Sequence, residues 1–422
     1  MSQNFVFESK QKTFTYALMG VGVLCMLLTF VGDDELHTRF WSNFLHNTAF
    51  FTGIGFISLF ILSAFTVSYA GWYVQFKRIW ESFGQFMLVG LVLMAIIVAG
   101  VWGHFHHLYH WADAEAVASD RILSGKSSFL NPVWYTLASV GFLAIWYFGF
   151  YKPFRALSLR EDEEGPGPDF AIHRRMRLLA AVFLPIAGFT SAAAIWQWLM
   201  SIDSHWYSTM YAWYTGASWF VSAMSLTVLL MIYLKSKGYF GTVTTEHFHD
   251  LGKFVFAFSI FWTYLWFSQY MLIWYSNNGE ETVFFQTRQR DYPVLFYGNL
   301  IINFALPLLV LMRNDTKRKN GTLAFVAGAV FLGHWIDFFQ MVKPGALHTA
   351  HEAMAHHAGE DADAAAHAAA FTPGFTIPGL LELGTMLGFL GLFLFVFFNT
   401  LSKAALVPKH DPYLAESLHH HT

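Results

Sequence analysis

Three ionisable residues interrupt apolar stretches of this 422-residue chain: His334, Asp337 and Glu382. Burying such a group in a membrane-spanning segment is costly, so each marks a functional site by default. His334 and Asp337 are three residues apart, and a helix places both on one face. An imidazole beside a carboxylate can be poised to take up and release a proton. Glu382 lies at similar depth on the next apolar stretch. Counted from the ends of those stretches, Asp337 and Glu382 are roughly 6–8 Å inside the boundary at ~1.5 Å per residue. One reading is a proton site at the mouth of an outer half-channel. The other is a shallow acid that reaches interfacial water or pairs with a neighbour. Deeper on the other side stand Asn303, Tyr264, Ser191, Ser222, Ser225, Thr227, Ser259 and Thr263. These can hold waters and pass protons, or they can bind helix to helix. Trp262 and Trp266 lie too deep for an interfacial belt and read as packed core or as a wall for a flat quinone ring.

A second candidate is the run Ser201–Trp206, where Asp203 and His205 could exchange protons with a quinol head group. His104 follows the end of another apolar stretch on the same side. The alternative is an ordinary solvated turn. Haem b would need two histidines facing each other across helices. Only His334 lies inside a span, with His104 just past another, so haem b is not expected. The single cysteine, Cys25, excludes a disulfide framework, a Cys-ligated iron–sulfur cluster and covalent c-type haem. In the Ala/His-rich run Lys343–Phe375, His351, His356 and His357 could ligate a metal, but the favoured reading is a partly helical outer segment that packs on a partner or stays mobile, so no metal site is expected in this chain. A net charge of −3 leaves no nucleic-acid footprint.

What positions these residues is a membrane scaffold. The chain is 55% hydrophobic, 19% aromatic and only 13% charged, too few charges to cover a soluble surface of this size. A bilayer core needs roughly 20 apolar residues per helix, and ten segments qualify: Thr13–Val31, Ala49–Tyr69, Phe83–Trp102, Trp134–Tyr151, Leu178–Met200, Ala212–Tyr233, Phe254–Tyr275, Val294–Met312, Leu323–Met341 and Ile377–Asn399. The expected fold is an all-α integral membrane protein forming one polytopic domain. No small-residue cleavage site follows the first segment, so a retained helix is expected. The even-numbered loops carry 15 Lys/Arg and the odd-numbered loops 6, which predicts cytoplasmic termini.

Phe83-Gly84-Gln85-Phe86 resembles Leu251-Gly252-Lys253-Phe254, and Pro132-Val133 matches Pro293-Val294. These pairs suggest a parallel repeat. Its halves run over about 48–200 and 212–341, as two four-helix bundles (helices two to five and six to nine) with helices one and ten peripheral. Short matches of common residues also arise by chance. Residues 342–376 are expected to form an outer loop.

The runs SIDSHWYSTMYAWY, HDLGKFVFAFSIFWTYLWFSQYMLIWYSNNGEET and PKHDPYLAESLHHH resemble the NrfD-like membrane subunits of bacterial alternative complex III. The resemblance covers nearly the whole chain and is greatest to the second, ActF-type subunit. It implies a non-redox subunit of a respiratory quinol:electron-acceptor oxidoreductase in the bacterial inner membrane, not catalytic alone. Menaquinol or another quinol would be oxidised in the complex. Iron–sulfur clusters and haem c would reside in partners: an iron–sulfur/molybdopterin-type subunit, c-type cytochromes and a paralogous NrfD-like subunit. In the family the first paralogue is taken to carry the quinol site, and both are proposed to contain proton half-channels. An independent secondary transporter and a purely structural anchor are the competing functions.

Overall fold

Inside a bilayer every backbone polar group must find its partner within the protein, which leaves helices as the economical solution for segments this apolar. The structure, a computed structural model, describes residues 4–358 and 374–421. Among them ten helices are long and apolar enough to cross a membrane: Ser9–Val31, Thr38–Val67, Val74–Gly103, Pro132–Glu164, Pro168–Ile202, Met210–Ser236, Thr245–Ser276, Pro293–Leu311, Asn320–Ala350 and Leu380–Leu401, here spans one to ten. The chain is an all-α, multi-span membrane protein. The only β feature among the described residues is an isolated bridge between Asn4 and Ala405. That bridge ties the two tails together, so both lie on one face, here the terminal face.

Span two is the axis of the molecule. It packs on spans three and five of its own group and on spans six and nine of the other. Spans six to nine pack among themselves in the same way, with span six against both seven and nine. Spans one and ten lie outside both groups and run along each other. Glycine permits that approach: a Cβ on Gly388 would overlap the backbone of Gly22, the close helix contact that small residues allow in lipid. Spans four and eight, which share the Pro-Val start, both carry π turns, at Leu137–Gly141 and Ile145–Tyr151 in one and Ile301–Ala305 in the other.

Two boundaries differ from the sequence expectation, and both matter for function. Span three begins at Val74, so Lys77, Arg78 and Glu81 are buried in its first turns. Span nine does not stop at Met341. Its helix continues through Pro344 to Ala358, so the segment 342–376 is not a loop from its start. A proline deprives the carbonyl four residues back of its N–H donor. Here that carbonyl, Gln340 O, accepts from Arg288 Nε at 3.3 Å instead, and the helix passes the proline intact.

Candidate functional site

Asp337 is fully buried in span nine. At ~1.5 Å per residue it lies roughly 20 Å of helix from Ala350 and roughly 25 Å from Asn320. Asp337 therefore stands well inside its helix, because span nine is longer than its apolar run. Spans six, seven and eight each direct donors at this one side chain. Oδ1 accepts from the Tyr214 hydroxyl and from Asn299 Nδ2 at 2.7 Å. Oδ2 accepts from Trp262 Nε1 at 3.0 Å and Ser218 Oγ at 3.2 Å. Four donors fill the lone pairs of an ionised carboxylate. No Lys, Arg or His makes an ion pair with Asp337 among the described residues.

Ser218 also lies 2.9 Å from His334 Nδ1. Because the serine gives its single proton to Asp337, Nδ1 must be the nitrogen that donates to Ser218. The other ring nitrogen, Nε2, is buried and has no hydrogen-bond partner. His334, Ser218 and Asp337 thus form a three-group relay, with the imidazole edge-on to Trp262 at 5.3 Å between centroids.

Polar groups continue from this relay in both directions. Toward the terminal face, Asn303 Nδ2 donates to Asn299 Oδ1 at 2.5 Å. Asn303 Oδ1, Ser225 Oγ and Ser259 Oγ are buried without hydrogen-bond partners. Buried polar atoms of this kind are normally satisfied by internal water. Toward the opposite face, a cavity of about 20 Å³ is lined by Tyr211, Tyr214, Gln269, Arg288 and Gln340, among others. That is room for about one water. Gln269 Oε1 and Gln340 Nε2 are likewise buried and unpartnered. Arg288 closes the outer side of the cavity through Asp203, Nη2 to Oδ2 at 2.9 Å.

The other sequence candidates fall as follows. Asn303 joins the Asp337 network. Tyr264 does not: it is 61% exposed on the outside of span seven. Residues two apart on a helix point about 200° apart, so only one of Trp262 and Tyr264 can face the bundle. Glu382 is not in the Asp337 cluster either. In the first turn of span ten it takes Arg39 Nε at 2.7 Å, Arg39 Nη2 at 2.9 Å and Asn43 Nδ2 at 3.0 Å, and it caps Gly379 N at 3.0 Å. Asp203 and His205 do not form a pair. The tight turn between them splays the side chains, Asp203 to Arg288 and His205 to Asp120 at 2.5 Å. The His205 hydrogen bond holds the Asp120 carboxyl below its usual range. His104 ends span three in a left-handed conformation, φ 52°, and is exposed. The side chains of His351, His356 and His357 lie outside the described residues.

The terminal-face half of the bundle, where the sequence pointed only to hydroxyls and amides, also holds a carboxylate. Glu81 is fully buried there, bound to Arg78 at 2.5 Å and Ser158 Oγ at 2.7 Å. It escaped notice because span three begins before its apolar run does. Tyr214, Ser218 and Asn299 were missed as well. The signal was the four-residue spacing of Tyr214, Ser218 and Ser222, and of Asn299 and Asn303, which lines each set along one helix face.

No known family model matches this chain, and no curated protein matches it.

Proposed function

We propose that this chain is a non-redox integral subunit of a quinol:electron-acceptor oxidoreductase of the alternative complex III kind, and that spans six to nine conduct protons through it. The resemblance of three sequence runs supports the assembly. The observation that carries the proton role is Asp337: a deeply buried carboxylate with four donors, no ion pair and a histidine one hydroxyl away.

In this reading the Lys/Arg excess puts the terminal face in the cytoplasm. A proton arriving at His334 Nε2 lets Nδ1 release its own to Ser218, which passes its proton to Asp337 Oδ2. Asp337 then holds the proton, and His334 is neutral again with the proton on the other nitrogen. For release the carboxyl turns to bring its O–H to Tyr214, whose hydroxyl takes that proton as it gives its own to a water in the cavity toward Arg288 and Asp203. The driving electrons pass from quinol through clusters and haems in partner subunits. A secondary transporter is the weaker reading: its substrate site would be built on helices broken at mid-membrane, and span nine is continuous across Asp337.

The test is reconstitution of the assembly in vesicles. Asp337→Asn must turn its amide nitrogen toward either Trp262 Nε1 or Asn299 Nδ2, which lowers the yield of assembly, but the assembled fraction should still oxidise quinol while its proton-to-electron ratio falls. An unchanged ratio would reduce the subunit to an anchor. Purification without multihaem and iron–sulfur partners would remove the oxidoreductase assignment.

A further inference from the structure

The terminal face holds a second buried cluster that the proton relay does not use. Span four continues past its apolar run to Glu164, and span five begins at Pro168. Gly165 and Gly167, at φ 82° and 74°, turn the chain between them, a conformation glycine adopts without strain. This hairpin brings His173 Nδ1 to 3.1 Å from Glu161 Oε1. The C-terminal tail returns to the hairpin. Lys409 N and His410 Nδ1 bind Asp162, and Asp411 enters beside Glu161 and His173. One ligand atom from each of Glu161, His173 and Asp411 lies within 4.8 Å of the others. The three residues are only 1%, 6% and 7% exposed.

A second observation points to a cation here. Glu161 Oε2 is buried and accepts no hydrogen bond. The nearest ammonium, Lys77 Nζ, is 3.8 Å from it and sits instead on Asp411 Oδ2 at 2.5 Å. One point charge therefore serves two carboxylates and satisfies only one. Lys77, Arg78 and Arg155 face Glu81, Glu161, Asp162 and Asp411, so the cluster carries one uncompensated negative charge when His173 is neutral.

We propose that Glu161, His173 and Asp411 form a site for a first-row divalent metal ion such as Zn²⁺ or Mn²⁺, which fastens the C-terminal tail to the hairpin of spans four and five. One imidazole and two carboxylates, with water as a fourth ligand, suit such ions. Ligand distances of about 2.0–2.2 Å require the three groups to close by roughly 1 Å. The ion displaces the Lys77 ammonium and supplies Glu161 Oε2 with its partner. The consequence reaches the other bundle. The same tail accepts from Gln75 Nε2 at Ser417 O, 2.8 Å, and pairs His420 with Asp250 of span seven at 2.6 Å. Metal at Asp411 thereby holds a strap that joins both groups of spans.

The experiment uses the full-length detergent-purified protein, stripped with chelator, loaded with Zn²⁺ or with Mn²⁺, dialysed and assayed for metal by mass spectrometry. Imidazoles are general Zn²⁺ ligands and the chain has 20 histidines, so the reading is a difference: His173→Ala should lose about one equivalent relative to the unaltered protein. Asp411→Asn, which lies outside all spans, should weaken binding by about tenfold or more. Lys77→Met removes the competing ammonium and should tighten binding. Metal should also protect the tail beyond Lys403 from limited proteolysis in the unaltered protein and not in His173→Ala. Equal metal content in the unaltered protein and His173→Ala would overturn the site. So would a Lys77→Met protein that binds no metal, which would make the cluster an ion-pair network only.

Discussion

Glu382 and Asp337 are both buried acids in apolar helices, yet their amide variants should part in the proton-to-electron ratio. In Glu382→Gln the side chain keeps its shape but loses the anion that Arg39 grips with two nitrogens at 2.7 and 2.9 Å. The new amide group must also face donors, from Asn43 and Arg39 on one side or Arg39 and Gly379 N on the other. A second cation, Lys343, stands nearby, bonded to Ser42 Oγ at 2.8 Å. Removing one partner of a buried pair costs about 3–5 kcal/mol. Arg39 is 20% exposed and keeps some water, so the lower end, about 3 kcal/mol, applies. At about 1.4 kcal/mol per factor of ten, local opening of span ten becomes up to roughly 100-fold more frequent. The single native cysteine reports it: Cys25 on span one packs against Gly384 of span ten, where an added Cβ would overlap its Sγ. Maleimide modification of Cys25 in detergent should accelerate toward that factor, with the proton-to-electron ratio of the folded fraction unchanged. Unaltered Cys25 reactivity combined with a lowered ratio would refute the structural role and return Glu382 to the proton path.

Gly388→Val should drive spans one and ten apart at Gly22, costing about 1–3 kcal/mol and also accelerating Cys25 modification. Trp262→Phe removes the only N–H that Trp262 gives to Asp337 and should cost about 1.5–3 kcal/mol, read as lower thermal stability of the purified protein. His106, outside the spans, is held down to about 4 by burial. The folded state therefore binds fewer protons there than the unfolded chain, and stability should fall as pH drops from about 6.5 toward 4; His106→Phe should flatten that dependence. In a Cys25→Ser background, an impermeant thiol reagent applied from outside should reach a cysteine at position 115 and not one at 165.

The spans were legible because apolar length is a strong signal; the reach of span nine beyond Met341 was not. Lys343 and Pro344 both read as the end of span nine. Its continuation depends on Arg288, 52 residues away, capturing the Gln340 carbonyl, a contact no local pattern encodes. Nor could composition choose between Trp262 and Tyr264 as the inward residue, since that is set by how span seven is rotated against span six. The donors around Asp337 were visible as four-residue spacings of Ser, Tyr and Asn. The same spacing occurs wherever hydroxyls bind helix to helix, as Thr227 does in accepting from Trp80 Nε1 at 2.8 Å. The separation of Glu382 from Asp337 is likewise tertiary: span ten packs against span one and the edge of span two, which puts Arg39 within its reach.

The two groups of spans share a π-bearing helix and a central tryptophan-rich interior, and they differ in charge. In the first group the buried ring donors meet neutral acceptors: Trp198 Nε1 donates to Ser139 Oγ at 3.0 Å, Trp146 Nε1 to Thr190 Oγ1 at 2.9 Å, and Tyr109 shares a hydrogen bond with Tyr135 at 2.8 Å. In the second group Trp262 donates to a carboxylate. A neutral pair is stable without a change of charge and can do nothing with a proton except hold it. A carboxylate surrounded by donors has two protonation states that differ in how many of those donors it can satisfy, so its environment must rearrange when the proton comes or goes. Span two, packed against spans six and nine, is where such a rearrangement would press on the first group. In the proposed proton role, spans two to five serve as the wall against which spans six to nine move a proton, because the buried acids of the first group, Glu81 and Glu161, are paired with Arg78 and His173, whereas Asp337 meets only neutral donors among the described residues.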